Sequence, residues 1–144
     1  MSTEENAALY RRIVEGIPDA VVFADREGII RLWNGGAEAM FGFRADEALG
    51  RSLDLIIPEK MRKRHWEGYY KVMETGVTRY GKELLSVPGI RKDGSRVSLE
   101  FSVALIPGDD GSMQGIVAVL RDVTERWMKE KDLKERLTLL EKKT

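Results

Sequence analysis

The 144-residue chain contains one histidine, His65, set in the stretch Arg64-His65-Trp66-Glu67-Gly68-Tyr69-Tyr70. Met61, His65, Tyr69 and Met73 follow one another at steps of four, with Val72 alongside. On a helix such positions share one face, and here it is the apolar one. Arg62, Lys63, Glu67 and Lys71 point largely elsewhere. The imidazole therefore lies on the stripe that should meet the rest of the fold. A neutral imidazole is a good iron ligand, and the thioethers of Met61 and Met73 are conceivable second ligands. The plainer alternative stays open. A lone histidine between Arg64 and Trp66 can simply pack, its ring nitrogens bonded to a carbonyl and to water, and methionine on a packed helix face is usually core filler.

Other chemistries find little support. The chain has no cysteine, which excludes disulfides, thiolate metal sites and cysteine nucleophiles. Ser86, Ser98 and Ser102 have no plausible His-Asp partners, and Asp109-Asp110-Gly111 lacks the alternating oxygens of a calcium loop. Gly35-Gly36 and Gly42 form no phosphate cradle. No catalytic constellation stands, so the chain is expected not to be an enzyme. Lys60 with Arg62-Lys63-Arg64 is a basic cluster that reads first as a solvated face, and second as a site for acidic groups of a ligand or partner. Twenty-four basic against 24 acidic residues give no reason to expect a nucleic-acid partner. No apolar run approaches the ~20 residues of a membrane span. The polar start MSTEENAALY is unlike a secretory signal, and with the absence of cysteine it points to the cytoplasm.

The elements that must position these residues follow from periodicity. Leu9, Ile13 and Ile17 mark a short amphipathic helix ending near Gly16-Ile17-Pro18. Ala20 to Ala24 and Ile29 to Trp33 flank the turn Asp25-Arg26-Glu27-Gly28 as a hairpin. Asn34 caps a short helix stopped by Gly42, and Ala45 to Leu49 forms one further turn before Gly50. Pro58 opens a longer helix that runs to about Glu74 and closes at Thr75-Gly76. An extended segment from Tyr80 to Arg91, interrupted at Pro88-Gly89, suits an edge strand. Val97, Leu99, Phe101, Val103 and Leu105 alternate with polar or small residues, which predicts a strand buried on one face. A last strand spans Gly115 to Arg121. In the closing helix Asp122 and Glu125 have capping-box spacing, while Leu133, Leu137 and Leu140 have coiled-coil seam spacing. Packing of that helix on its own domain is the equal alternative. Two strands, several short helices, then three strands imply an α+β domain with an antiparallel sheet.

The blocks "IPDAVVFADREGIIRLWNGGAEAMFGF", "EALGRSLDLIIPE", "RKDGSRVSLEFSVALI" and "GIVAVLRDVTER" resemble, in order and spacing, those of PAS sensory domains, from about Leu9 to Arg126. The resemblance implies a five-stranded antiparallel sheet covered on one face by short helices, with flanking helices at both ends. The parts would be an N-terminal flanking helix over 1–18, a PAS core over 19–123 and a C-terminal signalling or coiled-coil helix over 124–144. It further implies a sensory or dimerisation module of a bacterial, two-component-like signal-transduction protein. Such a module holds a small molecule between sheet and central helix and relays the change through its terminal helices.

Flavin photoadduct chemistry and cysteine-linked chromophores need a cysteine that is absent, and the segment from Val77 to Leu85 lacks the tryptophan of redox-sensing flavin domains. The central helix is similar to that of the oxygen-sensing haem PAS domains of nitrogen-fixation kinases, the FixL type, which carry their proximal histidine in an Arg-His pair. That resemblance implies haem b as cofactor, with His65 as axial ligand to the haem iron. Met61, Tyr69 and Met73 would lie on the same face, and Leu99, Phe101 and Val103 on the pocket wall. Leu85 stands where the family has an arginine that reaches oxygen, so another gas or a redox role fits better. The alternative is a cofactor-free PAS domain acting only in homodimerisation or protein–protein interaction. Expected partners are a second copy through the terminal helices, and an effector that is a separate domain or protein.

Overall fold

The computed structural model describes residues 1–78 and 84–143. Helix α1 (Thr3–Gly16) starts where the Ser2 hydroxyl accepts the Glu5 N–H at 3.1 Å. Strands β1 (Ala20–Asp25) and β2 (Ile30–Trp33) form the first hairpin. Helices α2 (Gly35–Phe41) and α3 (Ala45–Ala48) follow, then a 3-10 turn over Leu53–Ile56. The long helix α4 covers Glu59–Thr75. Strands β3 (Leu85–Ile90), β4 (Arg96–Pro107) and β5 (Met113–Asp122) lead into α5 (Thr124–Lys142). All strand pairs are antiparallel and the sheet runs β2-β1-β5-β4-β3. The α+β fold read from the sequence is therefore the one formed.

Particular residues account for particular joints. The Asn34 carboxamide is fully buried; its oxygen accepts the N–H groups of Val21 at 2.8 Å and Ala37 at 2.9 Å. Its nitrogen donates to the carbonyls of Val14 at 2.8 Å and Asp19 at 3.1 Å, so one side chain ties α1, β1 and α2 together. β1 and β5 lie side by side with Ala20 opposite Leu120, and Arg121 forks onto the Asp19 carboxylate. The inner sheet face is covered in two places. At one end α2, α3 and the 3-10 turn bury Phe41, Ala37, Ala48 and Ile56 against Val22, Ile30, Trp33, Val97, Leu99 and Leu120. At the other, Tyr69 and Met73 of α4 bury Ala24, with Met113 and Ile116 packed beside them.

The structure departs from the sequence reading in four places. The extended segment is a strand only over Leu85–Ile90 among the described residues, and its beginning, including Tyr80, lies outside them. The alternation in β4 gives a one-sided strand only from Glu100 onward; Ser98 is as buried as its neighbours Val97 and Leu99 because the start of α5 covers it. The N-cap of α5 is Val123, one residue later than the proposed Asp122 capping box, and it makes no side-chain cap bond. No residue of α5 is buried; Thr124 and Trp127 in its first turn meet β4, and every described residue beyond Trp127 is exposed, so the rest of the helix does not pack along its own domain.

Candidate functional site

His65 sits one helical turn before Tyr69 on α4, with ring centroids 5.7 Å apart, and meets the Trp66 ring edge-on at 4.7 Å. Its Nδ1 atom is buried and has no hydrogen-bond partner among the described residues. Loss of hydration pushes the imidazole pKa below its ordinary value; the Asp54 carboxylate works the other way but less strongly. The ring is thus held neutral, the form in which a nitrogen lone pair is free for a ligand.

The rest of the stripe divides by role. The Tyr69 hydroxyl donates to the carbonyls of Ala24 at 3.1 Å and Asp25 at 2.5 Å, and burial raises its pKa well above the usual phenol range, with Asp25, Glu27 and Tyr70 adding to the effect. Met73 is buried in the same cluster. Tyr69 and Met73 therefore fasten α4 to the sheet. Met61 is half-buried and belongs to neither core cluster. On the sheet, Leu85 lies opposite Phe101 and Val103 opposite Ala118, with Leu99 in the main core. Leu85, Phe101 and Val103 are only half-buried, so this apolar inner strand face is incompletely covered. The candidate residues thus form two groups, His65, Tyr69 and Met73 on the helix and Leu85, Leu99, Phe101 and Val103 on the strands, with Met61 apart.

Two supports of α4 escaped sequence reasoning. The Trp66 indole N–H donates to the Asp54 carboxylate at 2.7 Å, and the ring lies against Gly28 so closely that a Cβ there would fall 2.0 Å from it. Arg62 turns back to the carbonyls of Ile57 at 3.0 Å and Asp54 at 3.3 Å, which removes it from the basic cluster; Lys60, Lys63 and Arg64 stay exposed. A tryptophan four residues before Tyr70 signalled only a helix neighbour, and nothing in the local pattern pairs it with a 3-10 turn.

The opposite end of β4 meets the base of α5. Val123 donates its N–H to the Ser98 carbonyl at 2.9 Å, and the Thr124 hydroxyl accepts the Ser98 N–H at 2.9 Å. Asp122 accepts the N–H and the hydroxyl of Thr124 on one oxygen and Arg91 at 3.0 Å on the other. Burial opposes the charge on Asp122, but Thr124 and Arg91 outweigh it and hold the carboxyl below its ordinary pKa. The strands are thereby clamped to the outgoing helix. No group of three or more metal-ligating side chains occurs among the described residues, and no helix among them is long and apolar enough to cross a membrane.

Comparison with known proteins agrees with this architecture. A profile described as the PAS fold matches residues 8–123. The sensor protein FixL of Bradyrhizobium diazoefficiens is 30% identical over 128 residues, which cover 87% of this chain and 24% of that protein. The cell-division control histidine kinase PdhS of Brucella ovis is 28% identical over 130 residues, covering 90% of this chain and 12% of the kinase. The chain thus spans a quarter or less of the length of these relatives. Among solved structures, the PAS domain of a Colwellia psychrerythraea protein superposes with a TM-score of 0.72 at 22% identity, covering 83% of this chain and 98% of that one. An RNA-binding light-oxygen-voltage receptor superposes at 0.75 with 19% identity, covering 96% of this chain and 39% of the receptor, a likeness of fold alone. The chain belongs to the PAS fold family, as a sensory domain of the kind found in signal-transduction kinases.

Proposed function

We propose that this domain responds to a small ligand or cofactor held between α4 and the inner face of the sheet, and relays the response through α5. The observation that carries this reading is the buried Nδ1 of His65, one turn before Tyr69 on α4, which has no hydrogen-bond partner among the described residues. A buried polar atom left unpaired costs about 1–3 kcal/mol, which a ligand at that nitrogen would offset. Haem b is the candidate group, and the donor chemistry fits it: a neutral imidazole on α4, and an apolar, half-buried strand face on the sheet. His65 would hold the iron, Leu85, Leu99, Phe101 and Val103 would form the wall, and Met61 is the thioether left free of the two core clusters. Bound haem supplies an iron responsive to gas and to redox state. Leu85 offers no hydrogen-bond donor, which favours a redox signal or a gas other than oxygen. The domain itself has no enzymatic role in this reading; the output is a separate domain or a partner protein.

A second reading is supported by the exposed leucines of α5. Leu133, Leu137 and Leu140 are 58–63% exposed at coiled-coil spacing, which fits homodimerisation with or without a cofactor.

The deciding test is the visible spectrum of the purified protein with added hemin, beside a His65→Ala variant. A sharp Soret band that shifts on reduction and is lost in the variant supports haem ligation by His65. A broad free-hemin spectrum unchanged by the substitution overturns it and leaves the interaction module.

A further inference from the structure

The three tryptophans differ in how readily each can give up an electron. Trp33 is buried, and its indole N–H donates to the Phe43 carbonyl at 2.9 Å, an oxygen too weakly basic to take the proton. The Trp127 ring carries two cations, the Arg96 guanidinium 4.6 Å and the Lys131 ammonium 5.3 Å from its centroid, and both oppose positive charge on the indole. Only Trp66 donates its N–H to a carboxylate, that of Asp54 at 2.7 Å, and no cation lies over its ring among the described residues. Arg62 stands 3.9 Å from the same carboxylate oxygen but donates to the carbonyls of Ile57 and Asp54, so the carboxylate remains a proton acceptor. The Asp54 side chain is 42% exposed, and a proton gained there passes on to water. His65 meets the Trp66 ring edge-on at 4.7 Å, and Tyr70, which is 53% exposed, stacks on it at 5.6 Å. Tyr69 also touches the indole, but its hydroxyl donates only to backbone carbonyls and has no base for its proton.

We propose that Trp66 is a one-electron relay that carries oxidising equivalents from the His65 side of α4 to the surface at Tyr70. The source is a strong one-electron oxidant, of the kind peroxide generates on a bound cofactor. The indole gives one electron to that oxidant and its N–H proton to Asp54, and becomes a neutral radical. Tyr70 then supplies the electron that restores the indole, which takes its proton back from Asp54, while the phenol proton goes to water. A thiol in solution returns a hydrogen atom to the tyrosyl radical. That the oxidant arises at His65 rests on the ligand proposed for that residue, whereas the ease of oxidising Trp66 does not.

The test oxidises the whole chain, without added haem, by photogenerated tris(bipyridine)ruthenium(III) and follows the radicals by transient absorption. The parent should show a neutral indolyl radical that gives way to a tyrosyl radical. Trp66→Phe should lower the indolyl signal about tenfold and Trp127→Phe by less than about twofold, as a carboxylate beside one ring and two cations over the other require. Asp54→Asn keeps an acceptor for the indole N–H but removes the base. It should therefore trap the protonated cation radical, which absorbs at longer wavelength, a change that loosened packing alone would not give. Tyr70→Phe should prolong the indolyl radical and abolish its tyrosyl product. An indolyl signal that survives Trp66→Phe, a parent radical that stays protonated, or an unchanged lifetime in Tyr70→Phe overturns the proposal. If Trp66→Phe does not fold, the other indole variants decide: an unaltered radical spectrum in Asp54→Asn, or loss of the signal in Trp127→Phe, overturns it.

Discussion

Gly28→Ala is the substitution in which local backbone and distant packing combine most directly. Gly28 has φ +78°, in the left-handed region, and an added Cβ would lie 2.0 Å from Cη2 and 2.1 Å from Cζ3 of Trp66. The backbone alone costs about 1 kcal/mol for a residue with a Cβ in that region. The clash must be relieved by moving the indole, which is held at three points: the 2.7 Å bond to Asp54, the stacking on Tyr70 at 5.6 Å and the edge contact with Tyr69 at 5.3 Å. Losing the hydrogen bond costs about 1 kcal/mol and loosening the aromatic contacts about as much again. The whole effect is about 3 kcal/mol, a large share of the 5–15 kcal/mol typical of a domain. Urea unfolding should show a midpoint lowered by about 1.5 M at unchanged slope. The decisive form is a double-mutant cycle with Trp66→Leu, where the ring is gone and Gly28→Ala should cost only the backbone share, about 1 kcal/mol. A loss below about 1 kcal/mol in the parent, or an equal loss in both backgrounds, refutes the assignment of Gly28 as the seat of Trp66.

Three further outcomes follow from the same contacts. Thr124→Val strips the acceptor from the Ser98 N–H and the donor to Asp122, and should cost about 2 kcal/mol; hydrogen exchange should quicken first at the amides of Val123 and Trp127. Because Asp122 is held below its ordinary pKa, its contribution is complete above the unfolded value of 3.8 and is lost as pH falls through the folded one. Asp122→Asn should therefore lose stability relative to the parent at neutral pH, and the gap should close in acid; a gap independent of pH counts against the clamp. Leu137→Lys, on an α5 position 58% exposed, should leave thermal stability within about 0.5 kcal/mol while converting any α5-mediated dimer to monomer by sedimentation.

The parts of this fold that were legible in the sequence are those whose periodicity survives assembly. The hairpin around Asp25 to Gly28, the Asn34 cap and the four-residue stripe of α4 each depend on neighbours within one or two turns. Ser98 shows where that stops. Alternation marks it as outward-facing, but a strand cannot announce that a helix 26 residues later will cover its outer face. Asp54 and Trp66 are likewise separated by 12 residues and joined through a 3-10 turn with no periodic signature. Of the candidate site, the place of His65 one turn before Tyr69 on α4 was readable, whereas the lack of a partner for its Nδ1 among the described residues depends on which neighbours fail to reach it. Arg62 looked like part of a charged face because its return to Ile57 and Asp54 depends on the bend before α4.

The adjacency of β1 and β5 has a mechanical meaning. The chain comes in at Ala20 and goes out after Leu120 on directly paired positions, so the two flanking helices leave the sheet about 4.8 Å apart at the same end of one ladder. Tension applied between α1 and α5 would load that ladder in peeling rather than in shear, one hydrogen bond after another, beginning with the Asp19–Arg121 pair. The sheet would part down its middle, leaving β2-β1 on one side and β5-β4-β3 on the other. Single-molecule pulling from Met1 and Lys143 should accordingly find a low, gradual opening force in place of one abrupt rupture. A force-bearing separation of the two helices is therefore transmitted straight into the centre of the sheet.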